Sequence, residues 1–159
     1  MDEKNAFLNG DLLEEVYMQP PPGYPDSYNQ VCLHCVLYGL KQAPQAWFVK
    51  FSSVVAQQGF TPSPYDSTLF ICHMPTGISL ILFYVDDMII TGDDTASIRD
   101  LQKFLSQHFE MKDLGALSYF LSLEVTSSSN GYYLSQAKYA SDLLFKVSLT
   151  DSKTVSTPL

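Results

Sequence analysis

The stretch Ile78-Ser79-Leu80-Ile81-Leu82-Phe83-Tyr84-Val85-Asp86-Asp87-Met88-Ile89-Ile90-Thr91-Gly92 sets two apolar runs on either side of an acidic pair. From Ile78 to Val85 the side chains are almost all apolar, and Met88 to Ile90 resumes the pattern before Thr91-Gly92 closes it. Short continuous apolar runs of this kind read as two buried strands, here joined at Asp86-Asp87. The acidic pair at the tip has two readings. One is a solvated turn, where Asp is common because its side chain bonds the nearby backbone. The other is a metal site, and Tyr84-Val85-Asp86-Asp87 alone is too short to separate them.

Working outward, Pro44 stands at a first helical position, Trp47, Phe48, Phe51, Val54 and Val55 follow at helical spacing, and Gly59 lies just past the end. This predicts an amphipathic helix over about 43–58. Ile98, Leu101, Phe104, Leu105, His108 and Phe109 share one face, with Asp94 or Thr95 as N-cap, predicting a second helix over about 95–109. His108 falls at the edge of that face. The run Leu117 to Val125, then Asn130-Gly131, then Tyr132-Tyr133-Leu134, predicts a hairpin with a type I′ turn at Asn-Gly. A third helix is expected from Ser135, with Ala140, Leu143, Leu144 and Val147 as its stripe. Gln19-Pro20-Pro21-Pro22-Gly23-Tyr24-Pro25 is an extended loop, since each proline lacks an N–H and fixes φ. No internal repeat, heptad pattern or linker interrupts the chain, so the expectation is one α+β layer structure.

Composition bounds the function. The chain has 159 residues, 46% of them hydrophobic, and only 16% charged, where an average soluble domain carries about 25%. That apolar excess is expected of a domain whose partner segments lie elsewhere. A net charge of −8 argues against an independent nucleic-acid binder, which neutralises phosphates with surplus Lys and Arg. The charge is compatible with nucleic-acid chemistry if the carboxylates hold metal ions and other segments supply the basic surfaces. The start has no basic and apolar leader, and no apolar run approaches the ~18–20 residues of a membrane span, so an intracellular protein without membrane contact is expected. Cys32, Cys35 and Cys72 are an odd number and give no disulfide framework. Cys32-Leu33-His34-Cys35 with Cys72 and His73 invites a zinc reading, but adjacent residues on a strand point to opposite faces, which separates Cys72 from His73.

Nucleotide polymerisation uses two divalent ions about 3.5–4 Å apart, and hard cations such as Mg²⁺ take oxygen ligands. A metal reading of Asp86-Asp87 therefore asks for a third Asp elsewhere in the chain. Asp2, in Asp2-Glu3-Lys4-Asn5-Ala6-Phe7-Leu8-Asn9-Gly10, is the candidate.

At this point a resemblance becomes specific. Residues 2–10 resemble the first catalytic motif of copia-type LTR retrotransposon reverse transcriptases. Tyr38-Gly39-Leu40-Lys41-Gln42-Ala43-Pro44 resembles their template- and nucleotide-contacting loop, and Tyr84-Val85-Asp86-Asp87 their YxDD box. Phe109-Glu110-Met111-Lys112-Asp113-Leu114-Gly115, Tyr119-Phe120-Leu121 and the closing Ser156-Thr157-Pro158-Leu159 continue the likeness. Ordered motifs thus cover nearly the whole chain.

The resemblance implies an α+β fold, a polymerase palm-like antiparallel sheet with helices packed on one face, and a nucleotidyltransferase that extends a primer on an RNA or DNA template with dNTPs. It implies residues 1–159 as a partial reverse transcriptase domain, the palm, with fingers, thumb and RNase H regions of the Pol polyprotein absent or incomplete. Asp2, Asp86 and Asp87 would hold two Mg²⁺ ions, with Mn²⁺ as substitute, and the Glu3 carbonyl would lie beside them. Phe7 would be a steric gate that excludes a 2′-OH by shape, and Tyr84 and Val85 would line the nucleotide site. Gln42 would sit beside the templating base, ahead of a helix N-terminus that favours phosphate; the plainer alternative is a loop entering a Pro-started helix. Lys112 would act near the departing pyrophosphate, against the alternative of a solvated surface lysine. Assembly in cytoplasmic virus-like particles is implied by the family alone.

Departures from the family pattern are Glu3 where an apolar residue is usual, Gln45 where Arg is usual, Ser122 in place of Gly, and a shortened, non-basic Cys32 to Leu37. They leave a second reading open, a non-catalytic remnant of such an element. Asp2, one residue from the chain start, is expected to be poorly held unless a sheet ties it down.

Overall fold

A computed structural model describes residues 1–23 and 30–149. By its internal contacts the chain divides into two compact units, Met1–Leu114 and Gly115–Leu159. In the first unit strand β1 (Asp2–Glu3) leads through a 3₁₀ turn (Ala6–Asn9) into the pair β2 (Asp11–Met18) and β3 (Val31–Cys35). Helix α1 (Ala43–Ala56) follows, then β4 (Thr61–Pro62), β5 (Leu69–Met74), β6 (Gly77–Tyr84), β7 (Asp87–Gly92), helix α2 (Thr95–His108) and β8 (Met111–Lys112).

The two apolar runs around the acidic pair form the centre of this unit. β6 and β7 make an antiparallel hairpin from Ser79↔Gly92 to Tyr84↔Asp87, inside a six-stranded sheet ordered β4-β5-β6-β7-β1-β8. Side chains alternate across a sheet, and Phe70, Cys72, Ile81, Phe83 and Met88 all fall on the buried face. Both helices cover that face. Phe51 of α1 stacks on Phe83 at 4.3 Å between ring centroids, and Leu101 and Leu105 of α2 join the same core with Phe109. Each such large apolar side chain, fully buried, contributes about 1.5–3 kcal/mol. The expected α+β architecture, an antiparallel sheet with helices on one face, is the one observed.

The helices keep their expected limits within a residue or two. Ala43–Ala56 gives way to a turn in which Gly59 adopts φ +81°, and Asp94 caps α2 by accepting from the Ala96 N–H at 2.9 Å. His108 closes α2, its ring 4.3 Å from that of Phe104 and its Nδ1 2.9 Å from the Phe104 carbonyl oxygen. Gly10 lies where the 3₁₀ turn meets α1: a Cβ there would approach the Ala46 Cβ to 3.1 Å. Among the described residues no helix is long and apolar enough to cross a membrane.

The second unit holds β9 (Tyr119–Phe120), β10 (Leu123–Ser128), β11 (Gly131–Ser135) and helix α3 (Ala137–Lys146), the strands ordered β11-β10-β9. The hairpin is present, but its turn differs from the expected type I′. Ser128 pairs with Gly131, so Ser129 and Asn130 make the turn and neither has positive φ. Ser128 Oγ stabilises it, accepting from the Asn130 N–H and donating to the Gly131 carbonyl, both at 3.2 Å. The double positive φ of a type I′ turn occurs instead at Leu121 (+48°) and Ser122 (+68°). That turn splits the run 117–125 into β9 and β10. Helix α3 begins two residues after Ser135, which ends β11 and whose Oγ accepts from the Ala137 N–H at 3.1 Å. Its stripe, Ala140, Leu143 and Leu144, with Val147 just beyond, is exposed. Tyr24 and Pro25 of the proline loop and the Ser156 to Leu159 motif lie outside the described residues.

Candidate active site

Strand β1 brings the distant aspartate to the acidic turn. Asp2 is the register partner of Asp87 on one side and of Lys112 on the other, and Asp87 pairs in turn with Tyr84. Directly opposed residues share a face, so Tyr84, Asp87, Asp2 and Lys112 form one row across the sheet, on the face away from the helices. The Glu3 N–H donates to the Asp86 carbonyl at 2.8 Å and the Met88 N–H to the Met1 carbonyl at 2.9 Å. These bonds flank Asp2 and Asp87, which makes them a non-hydrogen-bonded pair, the type with Cα atoms about 4.5 Å apart and side chains in closest approach. The same bonds, with the Met1 amino group donating to the Met88 carbonyl at 2.8 Å, tie Asp2 into the sheet. The weak hold expected so near the chain start does not arise.

The turn itself is strained. Only Val85 and Asp86 separate the paired Tyr84 and Asp87, and Val85 has φ +52° while Asp86 does not share the positive sign. That is the sign pattern of a type II′ turn, whose first position normally takes Gly; a β-branched residue there is an outlier of the kind that collects at functional sites. Trp47, buried in α1, donates its Nε1–H to the Val85 carbonyl at 2.7 Å. Helical periodicity marks Trp47 as core and misses this role, although a buried indole N–H needs a partner.

Phe7 lies on the 3₁₀ turn, its ring 4.4 Å from that of Tyr38. The Tyr38 hydroxyl donates to Asp86 Oδ1 at 3.0 Å, so the loop that carries Tyr38 reaches the acidic turn. Glu3, which stands where the resembled family usually has an apolar residue, is 2% exposed. Its Oε1 accepts from Asn9 Nδ2 at 3.0 Å and from the Glu110 N–H at 3.2 Å, and Oε2 has no partner among the described residues. Burial pushes this carboxyl up against the pull of those bonds. It braces the turn between β1 and Phe7 from the helix side.

Gln42 is the N-cap residue of α1, and its amide donates to Glu14 Oε1 at 2.9 Å. It lines a groove of about 470 Å³ with Asp11, Leu13, Gln45, Val49 and Lys50, apart from the carboxylate row. Asp2, Asp87, Lys112 and Tyr84 are brought together by the sheet, Asp86 precedes Asp87 in the turn and is linked to Phe7 through Tyr38, and Gln42 stands on a different surface. Cys72 is buried on β5 with Sγ 3.7 Å from the Gln58 carbonyl, His73 beside it is exposed, and Cys32 and Cys35 are exposed on β3 in the other sheet.

The electrostatics of the row suit a cation. The Asp87 carboxyl is held above its usual range, first by burial and then by the Asp2 charge, with Asp86 adding and the Met1 ammonium opposing. Crowded carboxylates of this kind are hard oxygen donors that a divalent ion relieves. Asp86 is turned to Tyr38, and among the described residues no group of three or more His, Cys, Asp or Glu is drawn together to hold a metal. Carboxylate oxygens are the donor type that Mg²⁺ takes, while the Asp86 carboxylate is bonded to Tyr38.

Comparison with known proteins shows the family. The family model described as reverse transcriptase (RNA-dependent DNA polymerase) matches residues 1–159. The chain is 42% identical over 162 residues to the retrovirus-related Pol polyprotein from transposon RE1 of Arabidopsis thaliana. It is 41% identical to that from transposon RE2 of the same plant, and 39% identical over 165 residues to that from transposon TNT 1-94 of Nicotiana tabacum. In each case all of this chain is covered, but it spans only 11%, 11% and 12% of those relatives. No solved structure matches. With its full length matched and its acidic motifs brought together by the sheet, this chain belongs to the reverse transcriptase (RNA-dependent DNA polymerase) family, of the kind found in copia-type retrotransposon Pol polyproteins.

Proposed function

We propose that the chain is the catalytic palm of an RNA-directed DNA polymerase, adding dNTPs to a primer on an RNA or DNA template within a larger Pol polyprotein. The observation that carries this reading is the facing pair Asp2 and Asp87 beside the strained turn at Val85-Asp86. Asp2, Asp86 and Asp87 are the residues that would hold divalent ions. When bound, two Mg²⁺ supply activation of the primer 3′ hydroxyl and neutralisation of triphosphate charge. Lys112, next to Asp2 in the row, offers a cation or proton to the departing pyrophosphate. Phe7 closes the sugar side and excludes a 2′-OH by shape, while Tyr84 and Val85 form the floor at the turn. Gln42 meets the template from the groove beside α1. Basic surfaces for the nucleic-acid backbone come from other Pol segments, since this chain carries −8.

Primer extension with Mg²⁺ or Mn²⁺ tests the reading, using the chain alone and joined to the flanking Pol segments of a relative. Template-directed products that vanish in Asp86→Ala are expected from the joined form. Products that persist in Asp86→Ala, or none from the joined form although the protein is folded, would favour the remnant.

A further inference from the structure

The loop between β3 and α1 carries a tyrosine whose contacts reach both ends of the site. Tyr38 follows β3 and precedes Gly39, whose φ of +96° turns the chain sharply. Its ring is half exposed, yet it lies against Phe7 at 4.4 Å and 43°, and its hydroxyl bridges 48 residues of sequence to Asp86 Oδ1. The backbone around that carboxylate is already fixed: the Asp86 carbonyl accepts from the Glu3 N–H and the Val85 carbonyl from Trp47. What remains adjustable is the Asp86 side chain, and Tyr38 takes one of its oxygens.

We propose that Tyr38 is a positioning residue that holds the Asp86 carboxylate toward Phe7 and away from the Asp2–Asp87 pair, so that a divalent ion must displace the phenol to gather all three carboxylates. This rests on the palm reading above. Two observations carry it. Asp2 and Asp87 already face each other, whereas Asp86 is bonded to Tyr38 and no three carboxylates are drawn together among the described residues. The tilted contact with Phe7 fixes the aim of the hydroxyl, because a packed aromatic pair restricts both rings. Phe7, the sugar gate, and Asp86, a metal ligand, are thereby linked through one side chain: a nucleotide that moves the Phe7 ring loosens the Tyr38 hold on Asp86.

The test measures Mn²⁺ binding to the chain by titration calorimetry or by the paramagnetic signal of free Mn²⁺, without any nucleotide. Tyr38→Phe keeps the ring and removes the hydroxyl. It is expected to tighten Mn²⁺ by about three- to tenfold, the range that the net contribution of an ordinary solvent-exposed hydrogen bond permits. Phe7→Leu, which frees the Tyr38 ring, is expected to give a smaller gain, and Asp2→Asn to weaken binding. Damage to the fold lowers affinity, so a rise in Tyr38→Phe has no merely structural explanation. If Asp2→Asn weakens Mn²⁺ while Tyr38→Phe leaves it unchanged or weaker, the Tyr38 proposal is overturned and the palm reading stands. If Asp2→Asn has no effect on Mn²⁺ binding, the palm reading fails and this proposal fails with it.

Discussion

Trp47 is the chain's single tryptophan, and its ring and its N–H serve different ends. The ring packs on Phe51, Phe83 and Phe109 at 5.0–5.9 Å, while Nε1 holds the Val85 carbonyl. Trp47→Phe keeps much of the ring but leaves that carbonyl unpaired, so a loss of about 1–2 kcal/mol in urea unfolding is expected. The opposite sign is expected at Glu3. Glu3→Gln retains an oxygen for Asn9 and the Glu110 N–H while removing a carboxyl that burial disfavours in its charged form. A gain of about 1 kcal/mol near neutral pH is expected from the same measurement. Neither role is legible from spacing. Periodicity shows that Trp47 faces a core but not which carbonyl meets its indole, and an acidic residue two places into the chain gives no sign that a short strand will bury it under two neighbours.

At the scale of elements, the hairpin at Asp86-Asp87 and the helices α1 and α2 are legible because their apolar periods are long and uninterrupted. The second unit is less so. Asn130-Gly131 signals a hairpin correctly, yet the positive φ values sit at Leu121 and Ser122, where neither residue type advertises a turn. Ser122, noted in sequence only as a departure from a family glycine, is held at φ +68°, a conformation that costs a residue with a Cβ roughly 1–2 kcal/mol. Ser122→Gly should therefore raise the stability of the β9–β10 hairpin by about 1 kcal/mol once the greater freedom of glycine in the unfolded chain is deducted. Hydrogen-exchange protection of β10 amides checks this. Slower exchange in the variant is expected; faster exchange would show that the turn relaxes without it.

For the whole molecule, the buried apolar core of the described residues lies between Ala6 and Phe109, inside the first unit. Chain 1–114 is therefore expected to unfold cooperatively, with a Tm within about 5 °C of the full chain, as followed by circular dichroism. No run of Pro, Gly or Ser marks the division near Leu114, so composition does not reveal it. The gathering of Asp2 with Asp87 is not legible from local pattern either. It depends on β1 inserting between β7 and β8 across more than 80 residues of sequence, and only the resemblance of ordered motifs to a known polymerase family points to it. The most direct check of the central claim is an anomalous difference map from crystals of the chain grown with Mn²⁺. A peak between the carboxylates of Asp2 and Asp87, with the Asp86 side chain turned from Tyr38 toward it, is expected; Mn²⁺ bound elsewhere, with Asp2 and Asp87 left to water, would contradict the account.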